Sequence, residues 1–422
     1  MRIIHCQNFY FSLSWKELRL LMDIFTAKSP QKVKTMASNM KNKHINRFFS
    51  LVRDIWFVIG ITILFWGLGH YILGAANYLK DLFSEEVTKI NVIEPRANSP
   101  VYENFPEKYD FWKEYLKTWD THFEPYYHWR RNGFTGKYTN ISPLGIRLTV
   151  KEGVRSGAKK IFVFGGSTLW GTGSPDGGTI PSILQSLLGD IYDIYNFGET
   201  GYVSTQELNY LLYQLSVGNI PDAVIFYDGV NDGYAGVYSP AIPRDPQNLR
   251  EKDKEKQQSF FIRLFKKSNY MRLVAYLQKQ LFPETQPLKK WDRKIKRDIR
   301  SNCVLVLDMY EAHIKQVKAL AKAYEFEAFF FWQPNLFSLT RKTNLYEKSI
   351  IDNVSSIWIE SQLEVYKVAK ERLSKREHEK IYFLGNLFDE VDEPIYIDWC
   401  HVGPNGNEIV AGEIFRQIKS KL

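Results

Sequence analysis

The sequence has only 3 cysteines in 422 residues, which excludes a small scaffold built on disulfides. Glycine (26) and proline (17) are too few, and follow no period, for a fibrous chain; there is no internal repeat. Metal and nucleotide signatures are also missing. There is no H-E-x-x-H, no cluster of Cys and His, no G-x-G-x-x-G, and no glycine turn followed by Lys-Ser/Thr. No metal and no cofactor are therefore expected. What is abundant is apolar and aromatic residues, 44% and 15%, too much for an intrinsically disordered chain.

The net charge of +9 suggests a nucleic-acid partner until it is located. Residues 1–53 hold 10 Lys/Arg against 2 Asp/Glu, which leaves 46 against 45 for everything after them. The excess belongs to an N-terminal arm (1–54), and no nucleic-acid partner is expected. Residues 55–76 explain the arm. These 22 residues contain no Asp, Glu, Lys or Arg. At the helical rise they reach about 33 Å, enough to cross a hydrocarbon core. His70 is their one ionisable residue besides Tyr71. A basic arm before the span, and mixed charge after it, predict a cytoplasmic N-terminus and an outer remainder. A cleaved signal peptide is disfavoured by the long stretch before the span. Residues 1–35 show no pattern, and translation from Met36 or Met40 would omit them. Cys303 and Cys400 both fall on the outer side, where a disulfide can persist.

Residues 77–158 are aromatic and irregular and are expected to pack, as a membrane-proximal segment, onto a main domain at 159–422. That domain alternates strands (Lys159–Phe164, Tyr192–Phe197, Asp222–Tyr227, Phe326–Trp332, Ile381–Leu384) with helical patterns (Ile180–Leu188, Ser204–Val217, Val304–Tyr324, Ile357–Arg376, Asn405–Leu422). The alternation predicts an α/β fold: a five-stranded parallel sheet in a three-layer α/β/α sandwich, preceded by one N-terminal transmembrane helix. Residues 233–300 interrupt the rhythm. Within them, 241–300 carry 17 basic and 7 acidic residues. Gln258–Phe282 reads as a basic amphipathic helix, suited either to a membrane surface or to a solvated lid.

Functional groups of a parallel sheet collect at the carboxyl ends of its strands. Those ends carry Gly165-Gly166-Ser167, then Asn196 through Gly201, then Asp228-Gly229-Val230-Asn231-Asp232. Asp398-Trp399-Cys400-His401 precedes the last helix. Each alone is weak: a glycine turn, a loop, a lone histidine. Together they supply a hydroxyl nucleophile, a base with a carboxylate three residues before it, and amide donors for an oxyanion. Asp232 reads better as a turn carboxylate than as a second acid. Trp170 and Trp399 read equally as pocket walls or as core.

Over residues 159–422 these four blocks resemble, in order and spacing, the SGNH hydrolases of the GDSL-like esterase superfamily. The resemblance implies Ser167 as nucleophile, His401 as general base and Asp398 as its orienter. It implies an oxyanion hole made by Ser167 N–H, Gly201 N–H and the Asn231 side chain, with Gly198 as the alternative to Gly201. The family's aspartate before the nucleophile is replaced by Gly166, a departure read as touching no catalytic atom. The function so implied is a membrane-anchored, extracytoplasmic serine esterase cleaving an acyl ester, acetyl foremost, with an acylated glycan as a candidate substrate. An O-acyltransferase of the same fold and a non-catalytic envelope scaffold are the alternatives.

Overall fold

The computed structural model describes residues 42–83, 94–151, 153, 155–238, 269 and 299–422. The arm before residue 42, and most of the basic insertion with its expected amphipathic helix, lie outside the described residues. The chain divides into two compact units.

The first unit contains one long helix, α1 (Asn42–Phe83). It overruns the expected 55–76 at both ends, because neither flank contains a glycine or proline to stop it. Its Phe49–Ala76 stretch has a mean hydropathy of 1.8 and is nowhere buried by protein, so it is long and apolar enough to cross a membrane. His70 is not left bare. Its Nδ1 accepts from Asn269 N at 3.3 Å, and its carbonyl accepts from Asn269 Nδ2 at 3.0 Å. An unsatisfied polar group would be costly in hydrocarbon, and this contact satisfies the His70 ring from within the chain.

The second unit begins with two short 3-10 turns, Pro95–Asn98 and Pro100–Tyr102, followed by α2 (Lys108–Lys117). A hairpin not foreseen from sequence follows, β1 (Thr121–Glu124) against β2 (His128–Arg131). A two-residue pair, β3 (Phe134–Thr135) with β4 (Asn140–Ile141), completes the segment. The main sheet is β5 (Lys159–Gly165), β6 (Tyr192–Asn196), β7 (Ala223–Asp228), β8 (Glu327–Trp332) and β9 (Ile381–Phe383). Its order is β6-β5-β7-β8-β9, with every pair parallel. These match the five expected strands to within a residue at each end.

Alternation along the strands assigns the two faces. Phe162, Phe164, Val224, Phe226, Phe330 and Trp332 point one way. They pack beneath α5 (Ser204–Ser216), α7 (Ile299–Tyr324) and α9 (Ser356–Leu373). Ile161, Val163, Ile225, Tyr227, Phe329 and Phe331 point the other way, onto α4 (Ile180–Leu188) and α10 (Pro404–Ile418). This is the three-layer α/β/α sandwich, and burial on both faces explains why the strands are continuously apolar. The remaining helices are α3 (Ser167–Trp170), α6 (Val230–Tyr238) and α8 (Leu345–Asp352). Helix α6 shows that residues 233–238 continue the domain, so the interruption starts later than residue 233.

A third apolar cluster joins Ala97, Tyr102, Phe111, Trp112, Tyr115 and Tyr138 to Trp170 and Ile397. The aromatic segment thus shares a core with the residues around the first and last motif blocks. The disulfide that the outer side would permit is not formed. Cys303 and Cys400 are both free and buried. The Cys303 thiol lies 4.0 Å from the Ser361 carbonyl, and Cys400 Sγ lies 3.5 Å from His401 Nδ1, so each sulfur faces its own neighbour.

Candidate active site

Strand β5 runs into Gly165-Gly166, and Ser167 opens α3 on the turn. Both glycines are required by crowding. A Cβ on Gly165 would lie 2.7 Å from the Tyr227 carbonyl, and one on Gly166 would lie 2.2 Å from Asn231 Nδ2. As the first residue of a helix, Ser167 has an N–H without an intrahelical acceptor. The Asp398–His401 block is a side-chain-capped turn. Asp398 Oδ1 accepts from Cys400 N at 3.0 Å and from His401 N at 2.8 Å. This is the local bonding that makes Asp a turn former, and it fixes the two side chains relative to each other.

Three side chains then meet across the sheet edge. His401 Nδ1 lies 2.7 Å from Asp398 Oδ2, and His401 Nε2 lies 2.7 Å from Ser167 Oγ. Burial alone would raise the Asp398 pKa, but His401 and then Arg96 outweigh it and hold the carboxyl well below its usual range. An ionised carboxylate only accepts, so Nδ1 carries the proton and Nε2 is left to accept from the serine hydroxyl.

The second and third blocks close around the same point. Asn231, on the first turn of α6, donates from Nδ2 to the Tyr202 carbonyl at 2.8 Å. The second hydrogen of that amide remains for a ligand. Gly198 N–H is spent on Asn196 Oδ1 at 3.1 Å, whereas Gly201 lines the cavity with a φ of +80, a backbone that a side chain would strain. Of the two glycines weighed from sequence, Gly201 is therefore the one placed at the site. Ser167, Gly201, Asn231 and His401 border a cavity of about 420 Å³, whose walls include Tyr115, Trp119, Trp129, Tyr234 and Trp399.

Comparison with known proteins comes down to fold. The chain is similar in fold to G-D-S-L-type lipolytic proteins. A structure described as a member of that family from Veillonella parvula shares 13% identity, covers 63% of this chain and all of its own, and has a TM-score of 0.35. A carbohydrate acetylesterase family member from Sinorhizobium meliloti shares 13%, covers 62% of this chain and 99% of its own, with a TM-score of 0.33. An acetyl xylan esterase shares 12%, covers 61% and 99%, with a TM-score of 0.30. No family model and no curated protein matches the sequence. The chemistry rests on this chain's own side chains.

Several residues at the site escaped the sequence reading. Arg96, in the first 3-10 turn, donates from Nη1 to Asp398 Oδ2 at 3.1 Å. Glu199, in the second block, is fully buried and accepts from Arg131 N at 3.0 Å and Nε at 3.3 Å. That pair ties the Gly198–Gly201 loop to β2. Arg131 and Arg147 lie over Trp170 at 4.0 and 4.4 Å, so Trp170 is core, while Trp399 lines the cavity. Asp232 accepts from Ser204 N at 3.2 Å and Oγ at 2.5 Å; it closes the start of α5 and is no second acid.

Asp398, Cys400 and His401 bring three potential metal donors within 4.8 Å. Their chemistry argues against an ion. Asp398 already accepts four bonds, one from a guanidinium, and burial pushes the Cys400 thiol well up, so it stays protonated.

Proposed function

We propose that this chain is a serine esterase that acts through an acyl-enzyme on Ser167. The observation that carries the proposal is the pair of 2.7 Å contacts linking Ser167, His401 and Asp398. The hydroxyl attacks an ester carbonyl while His401 Nε2 takes its proton. Asp398 keeps the imidazole in the required tautomer and stabilises the cation that forms. The oxyanion is received by the Ser167 and Gly201 N–H groups and by Asn231 Nδ2. His401 returns the proton to the leaving alcohol, and water, activated by the same imidazole, releases the acid.

The cavity is far larger than an acetyl group, and its aromatic walls suit a bulky alcohol component, an acylated glycan among the candidates. The same acyl-enzyme would serve an O-acyltransferase, with a sugar hydroxyl in place of water. The apolar stretch of α1 acts as a single membrane anchor. The charge asymmetry around it favours a cytoplasmic N-terminus and an extracytoplasmic catalytic domain.

The test is hydrolysis of a small aryl acetate by the full chain in detergent. Ser167→Ala should abolish turnover, and a mechanism-based serine probe should label the wild type alone. Undiminished hydrolysis by Ser167→Ala would sink the assignment. Acetate release from acetylated glycans, with and without an acceptor sugar, separates hydrolase from transferase.

A further inference from the structure

We propose that Arg96, contributed by the short segment Glu94–Tyr102, is a positioning residue that holds the Asp398 carboxylate in line with His401. The inference rests on the esterase reading above.

The guanidinium is built to face one way. Its Nε and Nη2 donate to the two oxygens of Glu94 at 2.6 and 2.7 Å, a two-pronged contact that fixes the plane of the group. Its carbon lies 4.7 Å from the centre of the Trp112 ring. The edge left over, Nη1, is the one that reaches Asp398 Oδ2. The segment itself is held in place. Ala97 and Tyr102 are fully buried, and Tyr102 Oη donates to the Gly173 carbonyl at 2.6 Å. Val101 covers Gly403, where a Cβ would come within 2.1 Å of Val101 Cγ1. The segment therefore lies directly over the Asp398–His401 turn.

Charge decides between positioning and substrate binding. Glu94 and Asp398 are both anions against one guanidinium, so Arg96 has no surplus charge to offer an anionic ligand, although it lines the cavity. The other titratable groups close to Asp398 are Cys400 beside it, Tyr102 on the same segment and Tyr346 on α8. Burial pushes all three upward, so they stay neutral. Among the described residues, Arg96 is then the permanent cation that answers Asp398, alongside the imidazole. Without it, Asp398 Oδ2 loses one of its two donors and its rotation is less restricted. The imidazole also loses a nearby positive charge and takes up a proton more readily.

The experiment compares the full chain in detergent with Arg96→Gln, Arg96→Lys, the double variant Glu94→Gln/Arg96→Gln, and Ser167→Ala. An aryl acetate is the substrate, and circular dichroism follows folding. The double variant is included because Arg96→Gln alone strands Glu94, a buried anion, and can fail to fold. For the double variant, kcat should fall about tenfold to a hundredfold, the usual weight of a hydrogen bond to a charged group, with KM little changed. In Arg96→Gln, where Glu94 keeps its charge, the acid limb of kcat/KM should move to higher pH; the double variant, which removes a cation and an anion together, should move it less. Arg96→Lys should restore the position of that limb, and part of kcat.

The inference is overturned if the folded double variant keeps wild-type kcat while Ser167→Ala is inactive. It is also overturned if the loss appears wholly in KM, which would make Arg96 a substrate contact. Activity that survives Ser167→Ala removes the esterase reading, and this inference with it.

Discussion

Position 166 offers a sharp test of the oxyanion arrangement. Gly166 has φ −79 and ψ −156, a backbone open to any residue, so alanine there meets no conformational barrier. The barrier is Asn231. An alanine Cβ would lie 2.2 Å from Asn231 Nδ2 and 3.3 Å from its Cγ. Ordinary contact lies near 3.5 Å, so the amide must retreat by about 1 Å, a misplacement that can cost about a hundredfold. Losing an oxyanion donor outright costs about 10²–10³ in kcat, or about 3–4 kcal/mol of barrier. The expected result for Gly166→Ala is a fall within that range, while stability drops by only about 1 kcal/mol for the strained Asn231–Tyr202 bond.

A four-variant cycle decides the cause. In an Asn231→Ala background the clash has no target, so adding Gly166→Ala should cost almost nothing. Steady-state hydrolysis of an aryl acetate gives the four kcat values. Full activity in Gly166→Ala refutes the reasoning, and so does an equal penalty in both backgrounds. The same geometry corrects the sequence reading of this position. The residue before the nucleophile touches the proposed third donor directly, and glycine is what makes room for it.

Three further outcomes follow. Asp398→Asn should lower kcat by roughly 10³–10⁴ without unfolding the domain, because the neutral amide no longer selects the Nδ1-protonated tautomer; a loss under tenfold, measured in the same assay, speaks against the triad. Glu207 and Asp228 are buried together, and burial is the leading cause that pushes both upward, Asp228 to about 8. The native state then holds protons that the unfolded chain releases, so the stability linked to these two groups is full below about pH 4 and falls as the pH rises towards 8. Asp228→Asn should flatten that decline, and thermal unfolding across the interval that shows a flat or rising wild type contradicts it. Finally, a thiol reductant should leave the melting temperature unchanged, since Cys303 and Cys400 are free; a drop on reduction would reveal a bond between them.

The parts legible in sequence are those with local causes. Val, Ile and aromatic runs leading into glycine mark β5 and β7, the aromatic run Phe329–Trp332 marks β8, and the spacing within Asp398–His401 encodes its own turn. The parts that were not legible depend on distant partners. Arg96 sits in an aperiodic Pro-Arg-Ala-Asn stretch and acquires meaning only through a carboxylate 302 positions away. Glu199 looks like an ordinary loop residue until Arg131 is seen against it. The β1–β2 hairpin carries no Asn-Gly or Asp-Gly turn; it bends at Tyr126 and His128, both at positive φ, where propensity gives no warning. The overrun of α1 is the opposite case, since flanks without a breaker simply continue the helix.

The span between the proposed nucleophile and its proposed base bears on timing. Ser167 and His401 are 234 residues apart. At translation speeds of 5–20 residues per second, roughly 10–50 s separate the emergence of the serine from that of its base. During that interval the hydroxyl is chemically idle, because neither the imidazole nor the turn that carries it exists. A nascent or truncated chain can therefore be bound, exported or degraded without hydrolysing the esters around it. Under the proposed mechanism, turnover reports that synthesis has passed residue 401 and that the sheet has closed behind it.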